Sequence, residues 1–496
     1  MICSTAVCAG VTILPGQETN EVEQLKRQLS ETQGNVSRVQ QEQRRQIESL
    51  SRQVNTLQAE SDAAKVAEAA TKPAWSPVAP IRVGRGAAYM DIGLVGTFAA
   101  GSSTAGDIEG GTQLGGHDPN QRGFTVQGVE ANFQGAVDPY FRGNANIVFS
   151  LDSGGESFVE LEEAWLETIS LPWNLQVRAG QYLTDFGRIN TQHPHTWAFV
   201  DTPLVNGRFF GADGLRNPGA RLSWLTPTPF YSELMLGVQD SHGGTASSFR
   251  GGSHAHSHGD GEEEPLPFGF RHADNDRGVR GLEDLLFTPR LAASLDLTGS
   301  QTLLLGASGA FGPNASGSSG DTTTQIYGVD LFWKWKSTRA HGGFPFVSFQ
   351  TEAMLRRYQL GAFDWQDEAG EGTVIMDEAT GLPAVLRAET VTDYGFYSEV
   401  LYGFKLGWVA GLRVDYIAGD TAEYERLNLT SGGDPLGADP HRARRWRLSP
   451  NLTWYPSDFS KIRLQYNYDD RRGIGADHSV WLQFELVLGA HAAHKF

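Results

Sequence analysis

The sequence predicts an all-β chain, a transmembrane antiparallel β-barrel of about 16 strands, preceded by an N-terminal α-helical coiled coil. Three observations predict it. Apolar residues recur at every second position from Gly86 onward, the connections between these runs are alternately short and long, and a separate stripe of three- and four-residue steps precedes them. The first is the period of a half-exposed strand, the second is the rim asymmetry of a membrane barrel, and the third is the period of a helix.

Residues 1–20 read as a signal peptide with a shortened start. The run "ICSTAVCAGVTIL" has the length and apolarity of a secretory core, although no Lys or Arg precedes it. Cys3 and Cys8 are the two cysteines of the chain, so everything beyond them can cross an oxidising compartment without mispairing.

Residues 21–62 carry Val22, Leu25, Leu29, Thr32, Val36, Val39, Gln43, Ile47, Leu50, Val54 and Leu57 on one helical stripe. The steps of four around Gln43 insert a stutter that locally unwinds a left-handed supercoil. A coiled coil of this extent reaches roughly 60 Å at 1.5 Å per residue. Its β-branched seam with Gln43 inside is compatible with a trimer. Residues 63–85, Ala-rich and then Pro-rich, read as a linker.

Residues 86–496 form the barrel. The alternating runs are 87–100, 122–137, 140–152, 157–170, 174–184, 219–225, 230–240, 282–297, 301–311, 324–337, 344–360, 392–404, 405–418, 442–455, 460–469 and 478–488. Connections such as "DP", "LPW" and "PSDF" alternate with stretches such as 185–218, 241–281 and 361–391, with "SGGE" as the exception. The chain closes on "WLQFELVLGAHAAHKF", an alternating strand followed by a terminal aromatic, as outer-membrane barrels do.

Composition narrows the function classes. The net charge of −18 opposes nucleic acid as a partner, and no run of about 18 apolar residues crosses a bilayer as a helix. No Ser, His and acid spacing singles out a catalytic triad, so an enzyme is not expected. If the oily faces meet lipid, the alternating partners line a pore. Arg142, Arg178, Arg221, Lys334, Arg356, Arg413, Arg445, Arg447 and Arg463 are the basic set there, against the acids Glu233, Asp330, Glu352, Asp415 and Glu485. An excess of basic groups on a pore wall favours anions, whereas groups that pair across strands only solvate a wide pore; both readings are open here.

Two groups of residues suit a metal. His254, His256, His258 and Asp260 stand in "GGSHAHSHGDGEEEP", a flexible tract able to wrap Zn²⁺ or another divalent cation. His193 and His195 flank Pro194 in "INTQHPHTWAFVDTPLV", where metal ligation and hydrogen bonds holding a loop inside the barrel are both open. No cofactor is required for diffusion through a pore.

The stretch "VELEEAWLETISLPWNLQVRAGQYLTDFGRIN" resembles the core motif of the phosphate-selective porin superfamily. "FGRINTQHPHTW", "VDTPLV" and "GAHAAHKF" resemble a branch whose members are often named zinc-regulated or receptor-like outer-membrane proteins. The resemblance implies a trimeric 16-stranded barrel, a coiled-coil extension and an inward loop at 185–218 that narrows the channel. The arginine ladder of the type porins has no residue-by-residue counterpart here. The implied function is an outer-membrane porin for passive diffusion of small ions and solutes, with divalent metal uptake through the His/acid-rich loops. The alternative is an envelope tether joining the outer membrane, through the coiled coil, to the cell wall. In either case the partners are outer-membrane lipid and two further copies of the chain.

Overall fold

The computed structural model describes residues 18–71, 81–86, 88–152, 154–251, 266–273, 278–366 and 374–489. The chain divides into two units, Met1–Ser76 and Pro77–Phe496.

In the first unit, α1 (Glu18–Thr71) is one continuous helix. It carries Leu25, Leu29, Val39, Leu50, Val54 and Leu57 as an exposed stripe. The helix continues past residue 62 and takes in "AAKVAEAAT", the start of the expected linker, because alanine loses no side-chain entropy in a helix. The assignment of residues 1–20 as a signal peptide falls mostly outside the described residues, as do Cys3, Cys8 and Phe496.

The second unit is a ring of sixteen antiparallel strands, within a seventeen-stranded sheet whose remaining member is the short strand Ile81–Arg85. In chain order they are β1 (Ala88–Ser103), β2 (Gly123–Ala136), β3 (Phe141–Leu151), β4 (Ser157–Thr168), β5 (Leu175–Leu183), β6 (Arg216–Leu225), β7 (Tyr231–Asp240) and β8 (Leu285–Thr298). They continue as β9 (Gln301–Pro313), β10 (Thr323–His341), β11 (Phe344–Leu360), β12 (Glu389–Lys405), β13 (Trp408–Gly419), β14 (Arg445–Ser457), β15 (Ser460–Arg471) and β16 (Gly475–Gly489). Each strand pairs with the next, and Gly93–Ser103 of β1 pairs with Ser479–Gly489 of β16 to close the ring. Ile81–Arg85, assigned to the linker on composition, instead pairs with Ala88–Ile92 where β16 has already ended, so it protects an edge that would be left open.

The two faces of the wall are inverted relative to a water-soluble protein. On β15, Leu464 is 50% exposed and faces outward, whereas Arg463 at 1% and Gln465 at 0% face inward. On β16, Leu486 is 60% exposed beside Glu485 at 1%. Apolar surface outside and polar surface inside, on a sheet without edges, satisfies every backbone group in hydrocarbon. This is the architecture of the bacterial outer membrane, and the chain belongs in that membrane. Aromatic side chains such as Tyr402, Trp454 and Tyr231 are exposed near the short-turn rim, with Trp408 and Trp454 stacked at 5.8 Å, where a membrane interface favours amphipathic rings. Leu464→Arg is expected to cost roughly 2–4 kcal/mol, the range for a cationic group on the lipid face of a barrel. Denaturant titration of refolding into lipid vesicles measures it, and an unchanged midpoint would show that Leu464 does not meet lipid.

The connections on the long-loop rim build a dome that the alternation did not foretell. Ile375–Asp377 pairs with Leu382–Pro383 and with Leu429–Ser431, over a core that includes Phe270, Leu360, Trp365 and Tyr424.

Candidate functional site

One connection leaves the rim and fills the lumen. Between β5 and β6 the chain forms a loop whose ends are tied together: the Thr184 amide donates to the Leu215 carbonyl at 2.9 Å. Asn190 completes the clasp, its amide nitrogen donating to the carbonyls of Thr184 and Leu215 at 2.8 and 2.9 Å while its oxygen accepts from the Leu215 amide at 2.8 Å. A neck of this kind defines a compact Ω-type loop, held by its own side chains.

The loop docks on three parts of the inner wall. Near its start, Gly187 has φ +58, and the Arg188 and Ile189 amides then donate to Glu352 of β11 at 2.9 and 2.8 Å. A Cβ at Gly187 would press directly on the Glu352 carboxylate. Gly187→Ala is therefore expected to lose at least the cost of left-handed backbone, about 1–2 kcal/mol, and to loosen the start of the loop. Protease sensitivity of the folded protein at Arg188 reads this out, and wild-type resistance would contradict it.

The loop then makes a 3₁₀ turn, Pro194–Thr196, with His193 as its N-cap and proline at its first position. The His193 Nδ1 lies 2.7 Å from Glu162 and 3.7 Å from Glu130, and its Nε2 lies 3.1 Å from Glu163 and 2.8 Å from the Asn146 amide nitrogen. His195 Nδ1 lies 3.1 Å from the other oxygen of Glu130, and the two imidazoles stack at 5.7 Å. Burial alone would lower the His193 pKa, but Glu162 and Glu130 outweigh it and hold the ring well above its ordinary value.

Two adjacent glutamates reach the same interior because β4 is bulged. Asn146 of β3 pairs with Glu163 and Ile147 with Leu161, so Glu162 is the extra residue and the alternation restarts after it. A bulge re-aims one side chain without ending the strand.

Beyond His195 the loop crosses to β13, β14 and β15. Lys461 bonds to the His195 carbonyl, Arg463 donates to the Trp197 carbonyl at 2.8 Å, and Asn451 donates to the Ala198 carbonyl at 2.9 Å. Asp201 then becomes the hub. It accepts from Arg413 at 2.6 Å, Arg447 at 3.0 Å, Gln465 at 3.0 Å and Asn467 at 2.7 Å, and it is fully buried. Burial pushes this carboxyl up, yet Arg413 and Arg447 pull it below the ordinary range. The loop ends in α2 (Leu204–Phe210), whose Leu204, Val205, Phe209 and Phe210 pack against Leu286, Ala310, Ile326, Met354 and Ile417. The inner wall is therefore apolar where the helix sits, a departure from uniform polar lining.

The expected basic wall is largely neutralised. Arg142, Arg178 and Arg221 converge on Glu167, and Arg221 also reaches Asp185 at 3.0 Å. Arg356 pairs with Asp393 at 2.6 Å, Arg413 with Asp415 at 2.8 Å, and Arg445 and Arg447 share Asp469. Arg463 bonds instead to Thr453 and Gln483 at 3.0 and 2.9 Å, and Lys334 lies over the Phe346 ring at 5.1 Å. Glu167, Asp393 and Asp469 on the strands and Asp185 and Asp201 on the loop supply the acids that the sequence comparison of wall positions left out. His254, His256, His258 and Asp260 lie outside the described residues.

An uncharacterized protein of Aquifex aeolicus (strain VF5) is 31% identical over 401 residues, spanning 77% of this chain and 73% of its own length. The chain belongs to the family of that Aquifex protein. A match of this extent has to take in most of the barrel unit, so the family is a barrel family. No family model matches the sequence. Among solved structures, the outer membrane channel DcaP of Acinetobacter baumannii is similar at a TM-score of 0.49 and 12% identity, over 83% of this chain and all of that one. An anion-selective porin from Comamonas acidovorans is similar at a TM-score of 0.45 and 9% identity, over 80% of this chain and all of that one.

Proposed function

We propose that this barrel is a passive outer-membrane channel whose throughput is set by the loop between β5 and β6. The observation that carries the reading is the docking of that loop: it is bonded to β11 through Glu352, to β4 through His193 and to β13–β15 through Asp201, inside a closed wall with polar side chains inward. A loop held by side-chain bonds across a polar lumen narrows a path without sealing the barrel covalently. Because most of the wall arginines are paired with acids, charge selectivity in this reading is weak, and solute size is the main filter. The reading assigns no covalent chemistry to the protein.

Three copies are the proposed assembly, with the exposed stripe of α1 supplying the seam of a coiled coil. Divalent metal collection at the mouth, through His254, His256, His258 and Asp260, is the proposed refinement. Planar-bilayer recording of the purified protein under a salt gradient, with and without Zn²⁺, tests the reading. Stable conductance steps with a small reversal potential are expected. Bilayers that stay silent with well-folded protein would remove the channel.

The apolar stripe of α1 also favours a second reading, in which the helix ties the outer membrane to the cell wall. Deleting residues 21–62 separates the two: weakened envelope cohesion with unchanged conductance is the tether result, and unchanged cohesion opposes it.

A further inference from the structure

We infer that Glu130, Glu162, Glu163, His193 and His195 form a site for one divalent transition-metal cation of the zinc class, fastening the loop to the barrel wall. The inference deepens the channel reading by placing a ligand on its constricting loop. The donors come from three elements: β2 gives Glu130, β4 gives Glu162 and Glu163, and the loop gives both imidazoles.

The donor chemistry points to a cation. Around the His193 ring, Nδ1 lies 2.7 Å from Glu162 and 3.7 Å from Glu130, and Nε2 lies 3.1 Å from Glu163 and 2.8 Å from the Asn146 amide nitrogen. Three carboxylates and two imidazoles converging on one buried spot form a ligand set that a divalent cation can bridge. One ligand atom each from His193, Glu162 and Glu130 lie within 4.8 Å of one another. Bonds of about 2.0–2.2 Å to a single Zn²⁺ set its ligand atoms roughly 3–4.4 Å apart, so small side-chain shifts close the shell. The other oxygen of Glu130 reaches His195 Nδ1 at 3.1 Å and orients that carboxylate. A cavity lined by His117, Glu130, Glu162 and His195 adjoins the donors and gives an ion room to approach. Imidazole donors favour Zn²⁺, Co²⁺ or Ni²⁺ over Ca²⁺ or Mg²⁺.

The test uses the full chain in detergent, stripped with a chelator and titrated with Zn²⁺ by calorimetry and with Co²⁺ by visible absorption. One ion per chain is expected at this site, with Co²⁺ bands typical of mixed nitrogen and oxygen ligation. Glu162→Gln and His193→Gln are each expected to weaken binding about tenfold or more, as loss of a ligand or its support does in other metal sites. A variant with His254, His256 and His258 all changed to alanine should keep the site's affinity and spectrum. Folding of every variant is checked by heat-dependent migration on a denaturing gel, and a variant that fails it is replaced by Glu130→Gln. Wild-type affinity in the site variants, loss in the tract variant instead, or no stoichiometric ion in the wild type would each overturn the inference. Because binding is read without current, a chain that binds the ion but does not conduct counts against the channel alone.

Discussion

Asp201→Ala is expected to destabilise the folded barrel by about 3–5 kcal/mol, the cost of removing one partner from a buried ion pair, and to raise single-channel conductance. Asp201 holds Arg413 and Arg447 from the loop side, so its loss leaves both guanidiniums buried with only wall acids to balance them. Gln465 and Asn467 lose the same acceptor. The remaining ties of residues 196–203 include hydrogen bonds from Arg463, Asn451 and Gln127 to the Trp197, Ala198 and Val200 carbonyls and from the Val200 and Thr202 amides to Gln465 and Asp118, the neutral ones each worth roughly 0.5–1.5 kcal/mol net. The 196–203 segment should therefore detach from β13–β15 and widen the lumen on that side. Denaturant titration gives the stability change, and bilayer recording gives the conductance. Asp201→Asn is the informative comparison: it keeps shape and some hydrogen bonding while removing charge, so an intermediate effect is expected. Stability and conductance both at wild-type levels in Asp201→Ala would show that the hub does not hold the loop.

Glu167→Gln is expected to move the channel toward anions. Glu167 is buried beneath Arg142, Arg178 and Arg221, and it is the one acceptor that all three share. Its neutralisation adds one uncompensated positive charge to the wall just inside the short-turn rim. Arg221 keeps Asp185 at 3.0 Å, while Arg178 retains only its stacking over Trp165 at 4.0 Å. The reversal potential under a salt gradient should shift in the anion direction, by more at low ionic strength, because exposed charges are screened within about 10 Å at 0.1 M salt. The variant should also lose stability, of the order of 3 kcal/mol, since three guanidiniums lose a shared counter-ion. An unchanged reversal potential would place Glu167 and its arginines away from the ion path.

Much of the barrel was legible because period-two alternation is a local signal. Every one of the sixteen expected runs overlaps a strand of the ring, and even "SGGE" keeps its place as a short connection on the long-loop rim. Boundaries failed where the cause is non-local. β6 starts at Arg216 rather than Gly219, since its first residues pair with Leu183 and Tyr182 at the neck of the loop. Ile81–Arg85 became a strand through an edge that only ring closure creates.

The site was legible in part. Pro194 between two histidines drew attention to the turn, but its carboxylate partners lie on β2 and β4, far off in sequence. Glu162 and Glu163 do leave a trace: two consecutive acids cannot both face the lumen on a regular strand, so "LEEA" signals a bulge. The pairing of the wall arginines leaves none, because Asp201 and Asp185 arrive on a loop whose path through the lumen depends on the closed fold. The seat of α2 is equally non-local, with apolar wall residues drawn from β8 to β13.

In the proposed channel the loop between β5 and β6 occupies the ion path. Single-channel conductance of the wild type, compared with a chain in which residues 188–212 are replaced by a short Gly-Ser connection, tests it most directly. Stable but clearly larger steps, by roughly severalfold, are expected for the shortened chain, since the narrowest part of a pore sets its conductance. Equal steps in the two proteins would contradict it.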